Sequence, residues 1–171
     1  MPAPTILSAN RGVQMAFTQE PRPFIGAIGR HYETTRGLSW LVVRATAGGM
    51  LLVHGITKLT TSSIAAFAAN SMARRGIEPA IPAAYMIFFL ETVGAVCIIV
   101  GLFTRLFAAM LFVEFLVIIF VAHWGGGFAG FNWSRQGGGW EYPLSWEMIW
   151  LAILLRGGGP YSLDAKLGRE F

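Results

Sequence analysis

The chain has 171 residues, 54% of them hydrophobic and only 13% charged, with a formal net charge of +4. A soluble globular domain carries nearer a quarter charged residues, and here the few charges cluster between long apolar runs, as in an integral membrane protein. The modest positive charge comes with no basic run and no recognition motif, which argues against nucleic acid as a partner; the single cysteine, Cys97, excludes an internal disulfide and a CxxC redox pair.

Residues 1–38 are polar and interrupted by Pro2, Pro4, Pro21 and Pro23. They are expected to form a solvated cytoplasmic arm, with His31 in water. Phe24, Ile28 and Tyr32 recur every four residues, as in a short surface helix or a contact for another subunit. The arm shows no apolar core followed by a small-residue cleavage site, so the first transmembrane helix is expected to direct insertion.

That helix is expected over 39–59. It is apolar enough for a bilayer yet holds Arg44, His54 and Lys58. At 100° per residue, Lys58 lies about 40° from His54 and about 40° from Arg44, so all three share one face. A cation costs roughly 2.5–3.5 kcal/mol at the centre of a membrane helix on insertion scales, so these groups need partners. Gly48-Gly49 permits close helix approach. Ser62 or Ser63 then caps a short interfacial helix that places Ile64, Phe67, Ala68 and Met72 on one side and ends at Arg74-Arg75-Gly76.

The second span is expected over 83–103, apolar but for Glu91 near its middle. Thr104-Arg105 is a tight connection, so the third span, over 106–124, is an antiparallel neighbour, with Glu114 at mid-depth and His123 at its end. The Gly-rich loop 125–139 leads to Trp140, and its aromatic residues suit the headgroup region. A fourth span over 143–155 rises only about 20 Å, short of the ~30 Å hydrocarbon core. Residues 157–171 form a short polar cytoplasmic tail. The fold expected is an all-α integral membrane four-helix bundle over 39–156, with a short periplasmic interfacial helix.

Four spans place both termini on one side. Arg11, Arg22, Arg30, Arg36, Arg105, Arg156, Lys166 and Arg169 fall there, against Arg74, Arg75 and Arg135 opposite. The positive-inside rule makes the termini cytoplasmic. The depths that follow make Arg44 a candidate partner for Glu91 or Glu114, and they bring His54, Lys58, His123 and Glu141 to the outer boundary as a second cluster. Glu147 is a weaker candidate beside Trp146. Two readings of these groups stay open. Either they fix helix register, or they line a pocket for a polar ligand head such as a quinone ring, which needs hydrogen-bond donors and a titratable group. No HxxxH, HxxE or cysteine cluster supports a metal site, and neither glycine triplet has a phosphate-loop context.

The spacing of Arg44, His54-Gly55 and Lys58, the Glu91-Thr-Val-Gly94 and Gly101-Leu-Phe-Thr-Arg105 segments, Trp140-Glu141-Tyr142, and the closing Gly157-Gly-Gly-Pro-Tyr-Ser-Leu-Asp164 together resemble the DoxX/DoxD-like small membrane proteins of bacteria and archaea. The resemblance covers roughly residues 40–167. It implies a four-helix membrane bundle in the inner membrane, with Arg44, His54, Lys58, Glu91 and Glu141 at a shared polar site. Named members are associated, as a membrane subunit, with a thiosulfate:quinone oxidoreductase. Three functions are therefore weighed: a subunit of a quinone-linked oxidoreductase that holds a quinone non-covalently, an accessory subunit packed against a larger respiratory or photosynthetic complex through its N-terminal arm, and a proton or small-solute pathway.

Overall fold

In the computed structural model, residues 24–61 and 63–170 are described; the proline-containing part of the polar arm, residues 1–23, lies outside them, as do Ser62 and Phe171. The chain divides into two compact units, Met1–Arg36 and Gly37–Phe171. In the described part of the first, Phe24, Ile28 and Tyr32 are exposed and the backbone is helical from Gly26 onward.

The second unit is an all-helical bundle. Helix α1 begins at Gly26, in the first unit, and ends at Thr60, in the second; its Thr35–Thr60 portion is long and apolar enough to cross a membrane. Helix α2 covers 64–75, and Ser63 caps it, its hydroxyl accepting from the Ala66 N–H at 3.1 Å. This element is α-helical over Ile64–Phe67, π-helical over Ala68–Met72 and 3-10 over Ala73–Arg75. Helix α3 runs Ala80–Val100, with a π-helical turn at Leu90–Gly94. Helix α4 runs Thr104–Gly130 and changes from α to π at Ile118–His123, then to 3-10 at Trp124–Gly130. These two are also long and apolar enough to span. Helix α5, Glu141–Arg156, packs along α4; its 16 residues rise about 24 Å at 1.5 Å each, short of a full hydrocarbon core. A last short helix, α6, covers Leu163–Leu167.

Small residues let the helices close up. A side chain at Gly48 would strike Ile99 Cγ1 at 2.7 Å and the Ala95 carbonyl at 2.8 Å, and one at Gly55 would strike the Glu91 carbonyl at 2.7 Å. Gly49, by contrast, faces open space. Both close approaches bring α1 onto α3, the contact that membrane helices make through small residues. Leu51, Ala95, Ile98, Leu111, Trp150 and Ile153 form the centre of the core, with Phe115 against Trp146 and Trp150 at centroid distances of 6.0 Å. A second cluster of Ile64, Ala68, Met72 and Ala84 seats α2 on the start of α3.

The glycine-rich stretch after α4 is folded. Trp140 Nε1 donates to the Gly127 carbonyl at 2.9 Å, and the Trp140 ring meets Phe131 at 4.7 Å, Trp124 at 5.4 Å and Phe128 at 6.4 Å. Edge-to-face and tilted aromatics of this kind suit a membrane–water boundary.

Candidate functional site

Arg44 and Lys58 of α1 mark two separate polar places along the bundle. Arg44 is fully buried, and its Nη2 donates to the Tyr161 carbonyl at 2.6 Å. The tail, polar in composition, folds back to meet it. Gly101 and Phe103 take left-handed backbone angles, φ 72° and φ 49°. Such a turn exposes the first N–H groups of α4. Asp164 takes them: its carboxylate accepts from the Phe103 N–H at 2.8 Å, the Thr104 N–H at 2.9 Å and the Thr104 hydroxyl at 2.7 Å. Ser162 caps α6 and holds this stretch in place, accepting from the Ala165 N–H at 3.0 Å. Trp40 Nε1 donates to the Gly157 carbonyl at 2.9 Å, and the Arg156 guanidinium lies 4.6 Å from the Trp40 ring centre. This place is a clasp that ties the tail to α1 and to the turn between α3 and α4.

The expected pairing of Arg44 with Glu91 or Glu114 therefore does not form. Fourteen residues separate Arg44 from Lys58, about 21 Å along a helix, and a carbonyl of the tail is nearer to Arg44 than either mid-depth acid.

At the other place, Lys58 Nζ donates to Glu91 Oε2 in an ion pair across the α1–α3 interface. Glu91 is buried, on the π-helical turn of α3. Glu114, from α4, is also buried, and the charges of Glu91 and Lys58 act on it. Neither Glu114 oxygen has a hydrogen-bond partner among the described residues. The Lys58 ammonium also lies 5.1 Å from the centre of the Phe67 ring.

These groups line a cavity of about 730 Å³. Its walls are mainly apolar, including Met72, Met86, Ile87, Val113 and Val117, and its polar members are Lys58, Glu91, Glu114, Ser71, Arg75 and His123. A volume of this size accommodates a drug-sized or cofactor-sized molecule. The three π-helical segments, Ala68–Met72, Leu90–Gly94 and Ile118–His123, all contribute lining residues. Extra residues in a turn widen it and often mark functional positions.

The expected outer cluster is divided. His123 lines the cavity, with its ring 5.8 Å from Trp133. His54 is exposed on α1 and close enough to Glu91 to act on it electrostatically. Glu141 is exposed and accepts the Trp133 N–H at 3.1 Å, bracing the loop before α5. Glu147 is buried in the bundle outside the cavity lining, and neither of its oxygens has a hydrogen-bond partner among the described residues. Among the described residues no group of three or more His, Cys, Asp or Glu stands close enough to hold a metal ion.

Sequence reasoning missed Asp164 as a structural anchor and Arg75 and Ser71 as cavity residues. The signals for Asp164 were the Ser162 cap two residues earlier and the glycine run that lets the chain turn back. A protein-family model described as DoxX matches residues 39–124. No curated protein and no solved structure matches the chain.

Proposed function

The chain belongs to the DoxX family of membrane proteins, and from that premise we propose that it is the membrane subunit of a quinone-linked oxidoreductase, with the cavity beside Lys58, Glu91 and Glu114 as its quinone site. The observation that carries this reading is an unpartnered buried carboxyl group next to an ion pair, in the lining of a large apolar cavity. An amphipathic ligand with a polar ring and an apolar tail matches both parts.

The donor set suits a quinone. Lys58 has three N–H donors, one of them engaged by Glu91, so donors remain for a ring carbonyl. Phe67 and the aliphatic wall provide contact for the ring and tail. A bound quinone would supply two-electron, two-proton redox chemistry. The residues of this chain would bind its body, orient its carbonyl and exclude water, and the electrons would come from a redox group on another subunit.

The positive-inside count supports cytoplasmic termini in a bacterial inner membrane, with the cavity toward the outer side. Decylubiquinone titrated into the detergent-solubilised protein, followed by calorimetry, tests the reading. Saturable binding that weakens at least tenfold in Lys58→Met and is unchanged in His31→Ala supports it. Absence of binding to the wild-type protein sinks it and favours an accessory subunit that packs against a larger complex without a ligand.

A further inference from the structure

Beside Lys58 the cavity holds two acids, and only one of them is matched. Lys58 Nζ bonds to Glu91 Oε2. Glu114 is 7% exposed, lines the same cavity and has no partner for either oxygen among the described residues. The groups that act on it are Glu91 from α3 and Lys58 from α1; His54 of α1 stands behind Glu91. Glu147 of α5 is not among the groups acting on it, nor are His123 and Arg75, which line the same cavity. Among these groups no second cation pairs with Glu114.

A lone carboxylate in a low-dielectric interior is costly, and such a site settles as the neutral acid unless a cation joins it. We propose that Glu114 carries the exchangeable proton of this cavity and presents it as a hydrogen-bond donor to an acceptor oxygen on an uncharged ligand head. The Lys58–Glu91 pair beside it is neutral as a unit.

The identity of the ligand rests on the quinone reading; the proton on Glu114 does not. Reduction of a bound quinone to its quinol would take two electrons, from a flavin or metal cluster on a partner subunit, and two protons. For one, the Glu114 O–H bond breaks as an O–H bond forms on the facing ring oxygen; for the other, the second ring oxygen takes a proton from water. The carboxylate left behind accepts from the remaining N–H donors of Lys58. A proton from the outer face restores the acid.

Infrared spectroscopy of the full-length protein in lipid, without quinone, tests the assignment first. The wild-type spectrum is expected to contain a carboxylic-acid carbonyl band that shifts in D₂O, is lost in Glu114→Gln and moves in Glu114→Asp. It should persist in Glu147→Gln, which removes the other unpartnered acid. A Glu114→Gln spectrum identical to the wild type overturns the proposal. Decylubiquinone binding is then measured on the same samples. Glu114→Gln, which keeps an N–H donor, is expected to bind within about threefold of the wild type, and Glu114→Leu about tenfold more weakly. Equal binding by Glu114→Leu also overturns the donor role. A Glu114-dependent band in a protein that binds no quinone upholds the proton assignment and defeats the quinone reading alone.

Discussion

Lys58 of α1 and Glu91 of α3 are joined by an ion pair whose members expose only 16% and 8% of their side chains. Removing one partner from a buried pair costs about 3–5 kcal/mol, because the other charge is stranded, whereas replacing both with apolar groups is often neutral. Lys58→Met and Glu91→Leu are each expected to destabilise the protein by that order, and the double variant to recover most of the loss. Thermal unfolding in detergent measures all three. Additive losses would show that the two side chains do not form a unit.

The adjacent glycines of α1 separate cleanly. Gly48→Ala is expected to destabilise the bundle, since its side chain would meet backbone and Ile99 of α3. Gly49→Ala faces open space and is expected to be neutral or stabilising by about 1 kcal/mol, the usual helix preference for Ala over Gly. Gly55→Ala meets the Glu91 carbonyl and is expected to weaken ligand binding as well as stability, because it pushes α1 away at the level of the ion pair. Melting temperatures of the three variants, read side by side, check the assignment.

In the clasp, Asp164→Ala removes three hydrogen bonds that hold the first turn of α4. Loss of a helix cap costs typically ~1 kcal/mol, and the buried donors left behind add about 1–3 kcal/mol each. The variant is expected to expose the tail to limited proteolysis while decylubiquinone affinity stays near wild type, since Arg44 of the clasp and Lys58 of the cavity stand about 21 Å apart along α1. Loss of affinity without loss of stability would contradict that separation.

Filling the cavity gives a fourth test. Ala109 lines it and is partly buried. Ala109→Phe is expected to weaken decylubiquinone binding on the order of tenfold, about 1.4 kcal/mol, with little change in melting temperature. Unchanged affinity would place the ligand elsewhere.

Much of this arrangement can be read from the sequence, and the parts that cannot have physical causes. The apolar runs, the tight turn before Arg105 and the basic residues of α1 mark the bundle and one polar face. The partner of Arg44 is a backbone carbonyl 117 residues away, and a carbonyl carries no signature in a sequence. Asp164 sits in a stretch whose composition is that of a solvated tail, and only the fold buries it. On an ideal α-helix, Glu114 and His123, nine residues apart, face opposite ways. In the structure both line one cavity, because Ile118–His123 winds as a π-helix. A periodicity argument that assumes 3.6 residues per turn cannot see that rotation.

Those wide turns bear on how such a site arises. Each is one residue more than an α-helix needs, so a single-codon insertion can make one and a single-codon deletion can erase it. Removing a residue within Leu90–Gly94 would leave an unbroken, well-formed helix and turn one side of the join by about 100° relative to the other. The lysine of α1 and the acid of α3 would then no longer face each other, although every chemical group remained in the chain. The length of α3 in residues is then as much a determinant of the site as the identity of its one glutamate.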